Sequence, residues 1–366
     1  MSKRIIIAGG GTGGHIFPAL AIAQAIHKIK PDWEFLFVGA KGKMEMQKVP
    51  EAGFNIVGLD IVGFNRSSLL KNIGFPFKLI KSFWQVRKIF NEFKPDAVIG
   101  VGGYSTFPVL KLAQRKGIPS FIHESNSFAG KANILLGRNA SLIFTGTKGM
   151  EKFFPSEKIV VTGNPIRKNI VNTSIIKKEA LNYFDLLDEA KPTLLVVGGS
   201  LGAKSINEAI HADLQKLIKA GIQVIWQTGK SFVRSAATDA VENKSVWVGE
   251  FISRMDYAYA AADVVMARAG AMTVAEICAL QKPTVFVPYP FAAEDHQTEN
   301  AKNLVAQNAA LMVADKDVKE RGVDVVINLS QQPEMMQAMK QNLMALSILN
   351  ADDIIAQKII ENIHAK

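Results

Sequence analysis

Gly9-Gly10-Gly11-Thr12-Gly13-Gly14-His15 stands directly after a short apolar run and before a helical pattern with Pro18 near its start. Glycines let a backbone turn sharply and bring its N–H groups close to a ligand. The start of the helix that follows favours negative charge by ~0.3–1 kcal/mol. A diphosphate is the natural guest of such a turn. Positions 9, 11 and 14 also satisfy G-x-G-x-x-G. A dinucleotide site needs, in addition, an acid about 20 residues further on for the ribose. The next apolar run ends Phe37-Val38-Gly39-Ala40-Lys41, and Asp32 and Glu34 lie before or at its start. A nicotinamide site therefore loses support.

Gly198-Gly199-Ser200-Leu201-Gly202-Ala203-Lys204-Ser205 nearly imitates a P-loop, but Ala203 stands where glycine should precede the lysine. An ATPase is rejected on that ground. What remains is a second phosphate-friendly turn, with Ser200 able to offer a hydroxyl. A third turn, Gly102-Gly103-Tyr104-Ser105, follows another apolar run. Open α/β sheets bind ligands at the carboxyl ends of their strands, so all three turns are expected to face one cleft between two domains.

The elements that must position these turns read as alternating strands and helices. Arg4–Ala8, Glu34–Val38, Asn55–Leu59, Ala97–Val101, Ser120–His123 and Leu142–Thr145 have strand character, separated by segments long enough for crossover helices. The pattern restarts with Thr193–Val197, a glycine turn and the helix Ala203–Ala220. It continues through Gln223–Gln227, Val246–Val248, Asp263–Ala267 and Pro283–Pro288. The expected fold is α/β, with two doubly wound Rossmann-like domains, residues 1–164 and 165–345. The turn signal Gly163-Asn164-Pro165 marks the boundary. The last helix, near Ala351–His364, carries Ile354, Ile355, Ile359, Ile360 and Ile363 on one stripe and must dock. Residues 346–366 are expected to return to the first domain, across the junction.

At 366 residues and 48% hydrophobic composition, the chain can build two cores. Its one cysteine, Cys278, lies in an apolar helical run and reads as buried. With Met1-Ser2-Lys3-Arg4 leading into a strand rather than a secretory leader, a reducing cytoplasm is expected. The net charge of +10 is uneven: residues 1–164 hold 22 Lys/Arg and 10 Asp/Glu, and residues 165–366 hold 21 and 23. Only the first half calls for an anionic partner.

Part of that charge falls in residues 66–94, where Arg66, Lys71, Lys78, Lys81, Arg87, Lys88 and Lys94 face a single acid, Glu92. Leu69, Leu70, Ile73, Phe75, Phe77, Leu79, Ile80, Phe83 and Trp84 are interleaved. These are too interrupted to span a bilayer, but they suit its interface, with cations reaching lipid phosphates. The other reading is a core helix with a solvated basic face. Both hold if Ile80, Phe83, Val86 and Phe90 turn inward while Phe75, Phe77 and Trp84 lie near the surface. Nucleic acid is not expected as a partner, since none of its recognised binding modules is present.

An ordered series of motifs runs over essentially the whole chain. It comprises Gly10-Gly11-Thr12-Gly13-Gly14-His15, Gly102-Gly103-Tyr104, His123-Glu124-Ser125-Asn126 and Gly163-Asn164-Pro165-Ile166-Arg167. Gly198-Gly199-Ser200, Arg268-Ala269-Gly270-Ala271-Met272-Thr273-Val274-Ala275-Glu276, and His296-Gln297 with Asn300 follow. In this the chain resembles a bacterial family of GT-B glycosyltransferases. That family moves N-acetylglucosamine from UDP-GlcNAc to undecaprenyl-pyrophosphoryl-MurNAc-pentapeptide (lipid I), making lipid II for peptidoglycan.

The resemblance implies an inverting transferase with no cofactor and no tightly bound catalytic metal, peripheral at the cytoplasmic face of the plasma membrane. It implies that Glu276 binds the ribose hydroxyls and that Ile252 meets uracil through its backbone. Ser200 and residues Ala271, Met272, Thr273, Val274 and Ala275 would line the diphosphate and sugar, with Arg167 assisting. Gln297 and Asn300 would contact the GlcNAc. Thr12, Gly13, Gly14 and Asn126 would complete the cleft. Gly103, Tyr104, Phe75, Phe77, Lys78, Lys81 and Trp84 would serve the acceptor and an anionic membrane surface. The family usually has glutamine where this chain has Ser125, while Asn126 is in place beside it.

Displacing UDP leaves negative charge on a diphosphate, which helix N-termini and cations stabilise. The attacking sugar hydroxyl needs a base, and His15 is the candidate because imidazole titrates near neutrality. His15 also admits a second reading, as a residue that fixes the loop or binds acceptor phosphate. His123 also reads as a strand-end cap, and His296 as a residue that holds a loop. Competing functions are a GT-B enzyme on another glycolipid, a UDP-GlcNAc epimerase, a nicotinamide dehydrogenase and a non-catalytic membrane adaptor.

Overall fold

A computed structural model describes residues 2–61, 75–171, 174–199, 201–240 and 244–364. The chain divides into two compact units. One runs to Ile166 and resumes at Ile348, and the other spans Arg167–Ser347.

The first unit is a seven-stranded parallel sheet of order β3-β2-β1-β4-β5-β6-β7. Its strands are β1 (Arg4–Ala8), β2 (Glu34–Ala40), β3 (Asn55–Leu59), β4 (Ala97–Gly100), β5 (Ser120–Glu124), β6 (Leu142–Thr145) and β7 (Ile159–Val161). Between them run α1 (Gly13–Ile29), α2 (Glu45–Glu51), α3 (Phe75–Phe93), α4 (Thr106–Arg115) and α5 (Lys131–Gly137). Strand β1 shows why both faces must be covered. Ile5 and Ile7 enter one core with α1, and Ile6 and Ala8 enter another with α3 and α4. A strand apolar on both faces belongs in a sheet sandwiched by helices.

The second unit repeats the plan with six parallel strands ordered β10-β9-β8-β11-β12-β13. They are β8 (Thr193–Val197), β9 (Gln223–Gln227), β10 (Val246–Gly249), β11 (Val264–Ala267), β12 (Thr284–Phe286) and β13 (Leu311–Met312). Its helices are α6 (Lys168–Val171), α7 (Lys177–Tyr183), α8 (Lys204–Lys219), α9 (Val233–Ala240), α10 (Met255–Ala261), α11 (Ala271–Leu280), α12 (His296–Val305), α13 (Val318–Ser330) and α14 (Pro333–Leu346). Leu195 and Val197 face one core, and Leu194 and Val196 the other. Cys278 is buried, and burial pushes its thiol up to about 12.

The last helix, α15 (Ala351–His364), returns to the first unit and packs on α1. Ile355, Ile359, Ile360 and Ile363 are buried there beside Ile22 and Ile26, and Trp33 meets the His364 ring at 5.9 Å. Each buried isoleucine contributes ~1.5–3 kcal/mol of transfer free energy, which is what ties this helix down.

In both sheets the winding reverses beside the first strand of the unit: between β1 and β4, and between β8 and β11. Such a reversal opens a crevice at the carboxyl ends of the strands. The turns after these four strands hold most of the residues singled out from sequence.

Candidate active site

In the first unit the turns after β1 and β4 are pressed together. The Gly10 N–H donates to the Gly102 carbonyl at 3.3 Å. Gly103, at φ +93°, lies so close to the Gly10 backbone that a methyl group there would overlap its carbonyl oxygen. Only glycine combines that backbone conformation with that approach. Tyr104 stands half exposed beside them. Thr12 takes the N-cap position of α1 in extended conformation, and its carbonyl accepts the N–H groups of His15 and Ile16. Gly13 and Gly14 form the start of the helix, where N–H groups have no partner within the helix.

The His15 ring lies against Gly102, and its Nδ1 is 3.1 Å from the Gly10 carbonyl. A carbonyl only accepts, so this contact places a proton on Nδ1; in the neutral imidazole the lone pair is then on Nε2.

Sequence reasoning missed the residue that shapes this turn. Glu45, on α2, is buried and accepts the N–H groups of Gly11 at 2.8 Å and Ala40 at 3.0 Å. Its partners are backbone N–H groups, one at the end of β2 and one in the distant turn after β1, so no motif announces it.

The turn after β5 is organised by another buried carboxylate. Glu124 accepts the Asn126 N–H and side-chain amide through one oxygen. Through the other it accepts the Gly130 N–H and the Asn133 amide. Asn126 is thus held by its neighbour at a fixed angle. Ser125 lies with its hydroxyl 3.4 Å from His123 Nδ1. His123 is fully buried, and desolvation lowers its pKa to about 4 against the raising effect of the Gly163 carbonyl, with His15 adding to the fall.

In the second unit, α11 begins immediately after the turn that follows β11, with Gly270 at its N-cap. Ala271, Met272 and Thr273 therefore present the first N–H groups of a ten-residue helix. Val274 and Ala275 continue the first turns, half-buried, and Glu276 is buried. Arg167 places Nε and Nη2 at 2.9 and 2.8 Å from Glu276 Oε1, and Tyr259 Oη donates to Oε2 at 3.2 Å. Burial raises the Glu276 pKa, and the Arg167 charge and both hydrogen bonds oppose that rise.

Around this pair, Asn300 donates from Nδ2 to the Ala269 carbonyl at 3.1 Å, fixing the turn before α11. Gln297 accepts the Tyr289 N–H at 3.0 Å through Oε1, which turns its amide nitrogen the other way. His296 opens α12. Ile252 is buried and donates its N–H to Gln227 Oε1 at 2.8 Å, while Gln227 Nε2 donates to the Gly199 carbonyl at 2.9 Å. Gln227 thus ties the glycine turn after β8 to the loop of Ile252. As the last residue of a strand, it carried no signal of that role in the sequence. Ser200 lies outside the described residues.

On α3 one expectation is corrected. Ile80 does not face inward: it is 58% exposed, with Phe77 at 75% and Trp84 at 69%. The buried stripe runs through Val86, Ile89 and Phe90, with Leu79 and Phe93 packed against the same core. At 3.6 residues per turn, positions 77, 80 and 84 share the opposite face. Lys78 is exposed at the start of α3. Lys81 pairs with Asp60 at 2.9 Å, and Lys41 pairs with the same carboxylate at 2.7 Å. The side chain of Phe75, and residues Arg66, Leu69, Leu70, Lys71 and Ile73, lie outside the described set. Among the described residues, no helix is long and apolar enough to cross a membrane.

Two Rossmann-like units, each with its glycine turn at the reversal of its sheet, are the units of the GT-B fold class. The family models agree. The glycosyltransferase family 28 N-terminal domain matches residues 5–145, and the family 28 C-terminal domain matches residues 193–357. The chain belongs to glycosyltransferase family 28.

Similar proteins include two named UDP-N-acetylglucosamine--N-acetylmuramyl-(pentapeptide) pyrophosphoryl-undecaprenol N-acetylglucosamine transferase. The one from Parabacteroides distasonis is 48% identical over 99% of both chains. The one from Phocaeicola vulgatus is 48% identical over 98% of this chain and 96% of its own. Among solved structures, MurG of Acinetobacter baumannii superposes with a TM-score of 0.79 at 27% identity, covering 98% of this chain and 99% of that one.

Proposed function

We propose that this protein transfers N-acetylglucosamine from UDP-GlcNAc to undecaprenyl-pyrophosphoryl-MurNAc-pentapeptide with inversion at the anomeric carbon, forming lipid II for peptidoglycan. The observation that carries this reading is the full-length likeness to transferases of that name, joined to the Arg167–Glu276 pair on the second turn of α11.

The second unit takes the donor. Glu276 accepts hydrogen bonds from the ribose hydroxyls. With its N–H engaged by Gln227, Ile252 offers its carbonyl to the uracil N–H. The first N–H groups of α11, at Ala271, Met272 and Thr273, meet the diphosphate, and Val274 and Ala275 continue that wall. Arg167 adds a full positive charge, and Gln297 and Asn300 serve the GlcNAc. Ser200 belongs to the same proposed set.

The first unit takes the lipid-linked sugar, with Thr12, Gly13, Gly14, Gly103, Tyr104 and Asn126 lining its turns. His15 accepts the proton of the attacking hydroxyl through Nε2. As the oxygen bonds to the anomeric carbon, the bond to the diphosphate breaks and its electron pair leaves with UDP. Charge grows on the diphosphate in that step, where helix N–H groups and a cation stabilise it most.

The exposed face of Phe77, Ile80 and Trp84, flanked by Lys78, Arg87 and Lys88, docks at an anionic bilayer surface. Each cation near such a surface contributes roughly 1 kcal/mol.

The experiment follows UDP release from UDP-GlcNAc by purified protein. Release that requires the lipid acceptor supports the transferase. Formation of the manno epimer without acceptor contradicts it.

A further inference from the structure

We propose that Tyr259 is a positioning residue for donor recognition, fixing the Glu276 carboxylate so that it reads the ribose 2′-hydroxyl of a uridine nucleotide. The inference rests on the assignment of Glu276 to the ribose made above.

Tyr259 lies on α10, two residues before its end, with its ring sealed in the core of the second unit. Its hydroxyl is the one polar atom it brings there, and it donates to Glu276 Oε2 at 3.2 Å. Arg167 holds the other oxygen through two contacts. With one partner on each oxygen, the plane of the carboxylate is set. A carboxylate offers about four lone-pair positions; the two Arg167 contacts and the phenol take three, so one remains, on Oε2, for the ribose 2′-hydroxyl. The two partners differ in kind. Arg167 stands at the first residue of its unit and is a third exposed, whereas Tyr259 is enclosed. The phenol is therefore the rigid member of the pair. Losing its hydroxyl leaves a buried carboxylate oxygen without that donor and free to turn about the side-chain torsions.

Tyr259→Phe removes one oxygen and keeps the ring. Binding of UDP and of 2′-deoxyuridine diphosphate to the full-length protein is measured by calorimetry. The native protein should prefer UDP by roughly tenfold or more, the discrimination expected when one charge-assisted hydrogen bond is lost. Tyr259→Phe should cut that preference to within about threefold while deoxy-nucleotide binding stays within about twofold of native. In a Glu276→Ala background, Tyr259→Phe should change UDP affinity less than about twofold, because its partner is gone. Tyr259→Met, read the same way, covers the case in which phenylalanine packs poorly.

Equal weakening of both nucleotides would make Tyr259 a core residue only and overturn the proposal. So would a native protein that binds the two nucleotides alike. A native protein that shows the expected preference yet transfers no sugar would overturn the transferase reading and leave this one standing.

Discussion

Arg167 and Glu276 are 109 positions apart in sequence, yet two guanidinium nitrogens lie within 2.9 Å of one carboxylate oxygen. The pair forms on the second turn of α11 and neutralises a buried acid that would otherwise be costly to ionise. Removing Glu276 should act on the donor. Glu276→Ala is expected to weaken UDP binding about 10- to 100-fold, the loss of charge-assisted hydrogen bonds worth ~1.5–3 kcal/mol, as read by calorimetry. Unchanged affinity would take Glu276 out of the site.

The same pair gives a pH dependence. Burial raises the Glu276 pKa, so the protonated form persists to a higher pH than for a free glutamate, and ribose recognition needs the ionised form. UDP affinity should therefore fall on the acid side at a higher pH than the titration of a free glutamate would give. In Arg167→Met, which removes two of the three opposing influences, that fall should move to still higher pH. A titration of UDP affinity from neutral to acid pH in both proteins tests this, and coincident curves would contradict it.

His123 predicts a separate effect on stability. Its pKa is lowered from 6.5 to about 4 by burial. Between those values the unfolded chain binds a proton that the folded protein does not. Stability is therefore full above the unfolded value and falls as pH drops through the window, by roughly 3 kcal/mol in all. Urea unfolding at neutral pH and near pH 4.5 measures it. His123→Gln should flatten the slope; an unchanged slope would mean that other groups carry it.

For His15, the Gly10 carbonyl holds the proton on Nδ1 and leaves Nε2 as the acceptor. His15→Ala should lower turnover about 10²- to 10⁴-fold, a loss that donor concentration does not rescue. Near-normal turnover would leave His15 with the loop-fixing role.

The α3 face separates membrane docking from donor binding. Replacing Phe77, Ile80 and Trp84 together by serine should reduce sedimentation with anionic vesicles, and added salt should reduce native binding too. UDP affinity should stay native because all three side chains are exposed. An equal loss of donor affinity would show that they support the fold.

Much of this was legible in the sequence, for identifiable reasons. Strands such as Thr193–Val197 and Gln223–Gln227 have β-branched and apolar centres bounded by turns, and they fold with the bounds read from sequence. The isoleucine stripe of α15 fixed both its length and its need for a partner. The edge strands β7 and β13, of three and two residues, have too little pattern to stand out. Ile80 sits at helical spacing from Phe83 on one side and from Phe77 and Trp84 on the other, so its exposed face is decided only by the packing of α3. Glu45, Gln227 and Tyr259 escaped notice because each acts on a group brought to it only by the fold: the Gly11 N–H, the Gly199 carbonyl and the Glu276 carboxylate.

The most direct measurement is transfer of labelled GlcNAc from UDP-GlcNAc to detergent-dispersed undecaprenyl-pyrophosphoryl-MurNAc-pentapeptide by the purified, folded protein. The account predicts a labelled disaccharide lipid, β-linked, formed one-to-one with UDP. Donor binding without any labelled lipid product would contradict it.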